Sequence, residues 1–246
     1  MAKSVLVESP ELTIVHLYQK EMNIYGDTGN TLILRRRAEW RDIKVNVLLV
    51  GLGEAIPEET DIILGGGGQD AGQGAIERDL QTKAVALHRL ASAGVPMLMI
   101  CGMYQLFGRS FTTGEGTVIR GIGVLPLETT AGKERYIGNT HYDTPLGEII
   151  GYENHSGLTH LDNEAEAFGS VTLGAGNNGH DGTEGCRIHN VIGTYSHGPV
   201  LAKNPNLADE LLQLALQRKY GPSFALRPLD DTLEQQAHET AKARPR

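Results

Sequence analysis

The sequence predicts an α/β fold, a mainly parallel sheet flanked by helices, with antiparallel additions. Short, almost wholly apolar runs alternate with segments of helical period, which is how strands covered on both faces read. Glycine-bearing turns follow these runs directly, and sheets of this kind gather their sites at the carboxyl ends of strands. Leu-Thr-Ile-Val-His-Leu at 12–17 is the first strand. Asp27 or Thr28 then offers a cap for a helix over 30–40. The apolar runs 44–50 and 61–64 are the second and third strands, and the third leads straight into Gly65, Gly66, Gly67 and Gly68. Leu80, Ala84, Leu87 and Ala91 recur at spacings of four, three and four, an amphipathic helix that Gly94 closes. A fourth strand at 96–100 ends on Cys101 and Gly102, with a helical stretch at 103–107 behind it.

Beyond Gly108 the chain changes character. Short β-like pieces at 116–127, 137–142 and 167–173 are separated by turns rich in Gly, Asn and Asp, and read as antiparallel additions to the same domain. A last strand at 190–195 meets Ser196-His197-Gly198-Pro199, and a final helix carries Leu207, Leu211, Leu214 and Arg218 on one face. From Arg227 onward the chain is polar without a sustained apolar period, which suggests a loosely held tail. The expected domain is 10–220, with an N-terminal extension at 1–9 and a C-terminal tail at 221–246.

Composition excludes several classes of function. The 246 residues carry a formal charge of −8, with 40% hydrophobic and 21% charged residues, a globular balance large enough for a substantial core. The run Arg35-Arg36-Arg37 is too short for a nucleic-acid footprint. Cys101 and Cys186 form neither a disulfide framework nor a zinc pattern. No apolar run approaches the ~20 residues of a membrane span, and the start lacks the apolar stretch of a secretory signal. A cytoplasmic protein is expected, with no transmembrane segment, no nucleic-acid partner and no metal.

Cys101 carries the strongest chemical signal. A cysteine between a strand end and a helix start is exposed at the top of the sheet, where the helix N-terminus favours the reactive thiolate. Cysteine is also a common buried residue at strand ends, so its company matters. His197 follows another strand end, where a base facing the same cleft would sit. The glycine run with Gln69 and Asp70 is followed by no Gly-Lys-Ser/Thr, so it reads as backbone that can approach a substrate and offer N–H groups to an oxyanion, or else as a flexible turn. Any ATP the chemistry requires is expected on another protein.

Three motifs together carry a resemblance to a known family. Ile100-Cys101-Gly102-Met103-Tyr104-Gln105, the 65–70 loop before it and Gly193-Thr194-Tyr195-Ser196-His197-Gly198-Pro199 after it resemble the class I glutamine amidotransferases of the cobyric acid synthase type. Asn23-Ile24-Tyr25-Gly26-Asp27-Thr28-Gly29-Asn30, Gly151-Tyr152-Glu153-Asn154-His155 and Gly174-Ala175-Gly176-Asn177-Asn178 resemble most the branch that serves peptidoglycan-precursor amidation. The likeness spans roughly 10–220. It implies a flavodoxin-like core, Cys101 as the nucleophile on the side-chain amide of L-glutamine, and His197 as the proton shuttle of a thioester mechanism. It further implies that the backbone at Gly67 and the N–H of Gly102 hold the oxyanion, that Gln105 lies at the substrate, and that Arg135, in Lys133-Glu134-Arg135, grips the α-carboxylate.

The implied partner is a MurT-like, Mur-ligase-like subunit of a heterodimer, which would hold ATP and Mg and amidate the α-carboxyl of D-glutamate in lipid II. Triad members of the family carry a glutamate two residues after the histidine, where this chain has Pro199. A dyad, or an acid donated by the partner, is therefore expected, and neither Glu153 nor Asp70 is assigned to the role. His155 either shapes the site or is structural. Cys186 reads as a bystander, and His141, His160, His180 and His189 show no metal-ligand spacing. Two other readings stay open: a glutaminase feeding a corrinoid ligase, and a non-catalytic binding module on the same scaffold.

Overall fold

The structure, a computed structural model, describes residues 9–68 and 70–244, with 70–75 as backbone alone. Gln69, the side chain of Asp70 and most of the N-terminal extension lie outside the described residues. The chain runs β1 (Glu11–Leu17), α1 (Thr28–Glu39), β2 (Lys44–Val50), β3 (Ile62–Gly65), α2 (Asp70–Ser92), β4 (Met97–Ile100) and α3 (Gly102–Phe107). Next come β5 (Ser110–Thr112), β6 (Val118–Arg120), β7 (Leu127–Thr144), β8 (Gly147–Leu161), β9 (Gly169–Leu173), β10 (Thr183–Glu184), β11 (Cys186–Ile188) and β12 (Val191–Thr194). Three helices finish it: α4 (Val200–Lys203), α5 (Pro205–Tyr220) and α6 (Thr232–Lys242).

One six-stranded sheet has the order β11-β12-β4-β3-β1-β2. All its pairs are parallel except β11 with β12. Within it the order β2-β1-β3-β4-β12 is the doubly wound arrangement of flavodoxin-like folds, whose ligands bind outside the carboxyl ends where the strand order reverses. The reversal lies between β1 and β3. Strands β3, β4 and β12 are buried at every residue, as continuous apolar runs between two helical layers should be.

The β-like pieces after Gly108 do not extend this sheet. They build a second sheet, β10-β9-β7-β5-β6, with β8 paired to β7. The sequence reading passed over β8, because its inward positions include Glu153, His155 and Thr159, and the alternation that marks a strand is hidden when buried residues are polar. In α5 the buried stripe is Leu207, Ala208, Leu211, Leu212, Ala215 and Leu216. Leu214 sits only partly buried at its margin, and Arg218 points away to Asp61 at 3.0 Å.

The tail expected to be loose contains α6, which has no buried residue. Charge holds it in place: Arg37 binds Asp209 and Asp231 at 2.7 and 2.6 Å, and Lys242 reaches Glu148 at 2.6 Å. Apolar periodicity carries no trace of that attachment. No helix among the described residues is long and apolar enough to cross a membrane.

Candidate active site

Four loops at the carboxyl ends of β1, β3, β4 and β12 meet above the sheet, and each brings one polar component. Cys101 directly follows β4 with φ 49° and ψ −102°, a left-handed φ that a residue with a side chain adopts only when its surroundings hold it. Its N–H donates to the Thr194 carbonyl at 2.8 Å, so the elbow is fastened to the neighbouring strand. That neighbour, β12, delivers His197 three residues beyond its end. The histidine backbone is also paired with Tyr152 of β8, giving and receiving bonds of 2.9 and 3.3 Å, so the second sheet helps to fix the imidazole.

The sequence-predicted pair does come together. A side chain on Gly67 would lie 2.5 Å from His197 Cε1 and 3.4 Å from Cys101 Cβ, which shows how small a space the thiol and the imidazole share. Only glycine fits there. Both side chains are largely covered, Cys101 at 8% exposure and His197 at 1%. Tyr25 stands edge-on over the imidazole with ring centroids 4.8 Å apart.

Asp27 is the residue that sequence reasoning missed. It is buried, and its carboxylate lies 3.3 and 3.4 Å from His197 Nδ1, while Oδ2 accepts the Gly67 N–H at 2.7 Å. Asp27 stands at the N-cap position of α1 but makes no capping bond with its side chain. Instead Asn23 Oδ1 accepts the Thr28 N–H at 2.9 Å, which frees the Asp27 carboxylate for the histidine. The expected absence of an acid on this chain is thereby corrected. Pro199 occupies the family's usual acid position, and it packs so closely on Gly29 that a Cβ there would fall 2.2 Å from the proline ring. This contact presses the start of α1, with Asp27, against the histidine loop.

The electrostatics follow from this geometry. Burial alone would lower the pKa of His197, but its interactions with Cys101 and with the Asp27 carboxylate outweigh it and raise the group to about 10. With Nδ1 toward Asp27, the ring nitrogen left without a hydrogen bond is the buried Nε2. The arrangement therefore favours an imidazolium beside the Cys101 side chain.

The remaining expected residues fall in different places. Of the backbone around Gly67 expected at the oxyanion, the Gly67 N–H itself is donated to Asp27 Oδ2. Gly102 opens α3, where helix geometry leaves an N–H without an intrahelical acceptor. Gln105 is buried and donates to the Tyr195 hydroxyl at 3.1 Å, supporting the floor behind the thiol. Arg135 is exposed, thrown outward by the irregularity between Ala131 and Tyr136, and its Nε donates to Asn154 Oδ1 at 2.6 Å.

His155 stacks flat on Tyr195 with centroids 3.6 Å apart, and burial lowers its pKa to about 4, so it is a neutral part of the floor. Burial pushes the Cys186 thiol up to about 12, which makes it inert. Among the described residues no group of three or more His, Cys, Asp or Glu is placed to hold a metal ion.

Comparison with known proteins agrees with this architecture. Residues 13–205 match the family model of the CobB/CobQ-like glutamine amidotransferase domain. The chain is similar to the lipid II isoglutaminyl synthase (glutamine-hydrolyzing) subunit GatD of Staphylococcus aureus, 39% identical over 93% of this chain and 94% of the relative. The subunit of the same name from Streptococcus pneumoniae is 38% identical, over 93% of this chain and 90% of the relative. Among solved structures, PurLQS from Thermotoga maritima aligns with a TM-score of 0.58 at 15% identity, covering 83% of this chain and 98% of the matched one, a likeness of fold.

Proposed function

The chain belongs to the CobB/CobQ-like glutamine amidotransferase family, and from that premise we propose that it is the glutaminase subunit of a lipid II isoglutaminyl synthase. The observation that carries this reading is the convergence of Cys101, His197 and Asp27 on Gly67 at the switch point of the sheet. In the proposed reaction the Cys101 thiolate attacks the side-chain amide carbon of L-glutamine. The carbonyl π electrons move to oxygen, and the oxyanion is held by the Gly102 N–H at the first turn of α3. His197, protonated on Nε2, gives its proton to the departing nitrogen, the C–N bond breaks, and ammonia leaves a γ-glutamyl thioester. Neutral His197 then takes a proton from water as that water attacks the thioester, and glutamate departs with the thiolate restored.

Asp27 holds the imidazole through Nδ1 in both halves of the cycle and stabilises its cationic form. Arg135 receives the α-carboxylate of glutamine, because a guanidinium matches a carboxylate with paired donors. The ammonia passes to a separate MurT-like ligase in a cytoplasmic heterodimer. That subunit binds ATP and Mg and amidates the α-carboxyl of D-glutamate in lipid II. The close relatives at full length, both bearing the lipid II name, favour this acceptor.

The test is glutamine hydrolysis by the purified chain with and without its co-expressed ligase partner. Cys101→Ala is expected to abolish glutamate and ammonia release while leaving the circular dichroism spectrum unchanged. Full glutaminase activity in that variant refutes the mechanism, and co-purification with a corrin-binding ligase in place of a Mur-like one refutes the acceptor.

A further inference from the structure

The motif at 23–30 and the loop at 197–201 lie against each other and are joined at both ends and in the middle. At one end Asp27 faces His197, its carboxylate oxygens 3.3 and 3.4 Å from Nδ1. In the middle Pro199 packs on Gly29, where a Cβ would fall 2.2 Å from the proline ring. At the far end Asn30 Oδ1 accepts the Leu201 N–H at 3.0 Å, across 171 positions of chain. That last bond is a helix cap supplied by another helix. Leu201 lies in the first turn of α4, whose N–H groups have no intrahelical acceptor, and Pro199 at the N-cap offers no side-chain bond. Asn30 of α1, only 2% exposed, takes the place of the missing cap. The start of α1 is likewise served without the Asp27 carboxylate. The N–H groups of Thr28, Gly29 and Asn30 go to Asn23 Oδ1, the Gly26 carbonyl and the Asp27 carbonyl at 2.9, 2.8 and 2.9 Å.

We propose that Asn30 is a positioning residue for the reaction: its cap on α4 fixes the histidine loop against α1 and so sets the contact between Asp27 and the His197 imidazole. The inference rests on the glutaminase reading and adds to it a residue that touches neither the substrate nor the reacting atoms. The circuit that the bond closes is short. Asp27 and Asn30 are one helical turn apart, and Gly198, Pro199 and Val200 alone separate His197 from Leu201. Gly198, with φ 97°, is a joint that does not hold the imidazole to one direction by itself, so the anchors on either side must do so. Asn204 fastens the other side of α4 to β8, through Ile150 at 3.0 and 2.8 Å, and makes no bond to α1. Without the Asn30 acceptor the Leu201 N–H is buried and unpaired, and α4 is free to draw away from α1. The Asp27–His197 contact, already longer than a usual charge-assisted bond, then lengthens further.

The experiment measures kcat and KM for L-glutamine from pH 6 to 10.5, using the full chain with its ligase partner bound. Parent, Asn30→Ala, Asp27→Asn and the double variant are compared, with urea melts confirming that each is folded. Asn30→Ala is expected to lower kcat about tenfold with KM within about threefold, the scale of a small misplacement of a reacting group. Its alkaline limb moves to lower pH, because the imidazolium loses part of the Asp27 charge. The titratable groups facing His197 are Cys101 at the elbow, Tyr25 over the ring, His155 from β8 and Asp27. Of these only Asp27 stands at the start of α1 with Asn30, so the double variant isolates it. In the Asp27→Asn background the alanine should change kcat less than about twofold. Asn30→Asp keeps an acceptor for Leu201 and is expected to hold kcat within about threefold of the parent, with the alkaline limb no lower, since added negative charge favours the imidazolium.

The role is overturned if Asn30→Ala keeps the parent kcat, if it leaves the alkaline limb in place, or if it lowers kcat by the same factor with and without the Asp27 carboxylate, as a merely structural residue would. If Asn30→Ala does not fold, Asn30→Asp decides: a limb below the parent's overturns the role, and one at or above it supports the role. Failure of the underlying glutaminase reading looks different: the parent itself releases no glutamate, or Cys101→Ala retains activity.

Discussion

Replacing Asp27 by asparagine removes one negative charge and little else, so it isolates what the carboxylate does for His197. In the parent protein Oδ2 accepts the Gly67 N–H at 2.7 Å and lies 3.3 Å from His197 Nδ1. Asparagine keeps an oxygen for Gly67, the shorter bond, and turns its NH₂ toward the imidazole. Two donors cannot face each other, so Nδ1 must lose its proton and Nε2 must keep one, the wrong tautomer for accepting a proton from water. The lost bond is charge-assisted and buried, worth ~2 kcal/mol, which corresponds to about 30-fold in kcat.

A second consequence is a shift in pH dependence. In the proposed mechanism the imidazolium expels ammonia, and its pKa, raised to about 10 by Cys101 and Asp27 together, keeps it protonated at neutral pH. Without the Asp27 charge the pKa falls, so the alkaline limb of kcat moves to lower pH. The measurement is ammonia release at saturating glutamine from pH 6 to 10.5 for Asp27→Asn and the parent. Unchanged kcat together with an unmoved alkaline limb would refute the orienting role and reduce Asp27 to a strut for the Gly67 loop.

Three further outcomes follow from the same coordinates. Gly67→Ala places a methyl group 2.5 Å from His197 Cε1 and should lower kcat at least about tenfold by displacing the ring, with only a small change in melting temperature. Glu184 is fully buried against Thr194 and Tyr195, and burial raises its carboxyl to about 8. Such a group favours the folded state most below its unfolded value of 4.5, and the benefit is lost as pH rises through 8. Chemical denaturation should therefore show parent stability declining between pH 5 and 8, and Glu184→Gln should flatten that slope. Asp209→Ala leaves Arg41, whose side chain is 2% exposed, without its carboxylate and Arg37 with only Asp231, and should cost about 3 kcal/mol in urea melts.

Parts of this architecture are plain in the sequence. The run at 96–100 folds as β4 within a residue of its expected bounds, because a strand covered on both faces must be apolar at nearly every position, and the run at 44–50 folds as the edge strand β2, of which only Val50 is buried. Cys101 and His197 are legible for a related reason: each stands where such a run stops, and parallel neighbours place their carboxyl ends side by side. Asp27 was not legible as a site residue. An aspartate just before a helix has an ordinary reading as a cap, and its actual partners lie 40 and 170 positions away. Nor was the docking of α6, which depends on ion pairs from elements distant in the chain rather than on an apolar stripe.

The amino-acid sequence by itself determined the parallel core, the family and the candidate pair Cys101 and His197, since all of these reside in local runs and short motifs. Tertiary structure alone decided which acid meets the imidazole, that Gly67 lends its N–H to that acid, and that Asn30 of α1 caps α4. Hydrogen-bond partners are fixed by distance and direction in space, and neither is encoded in the spacing of residues along the chain.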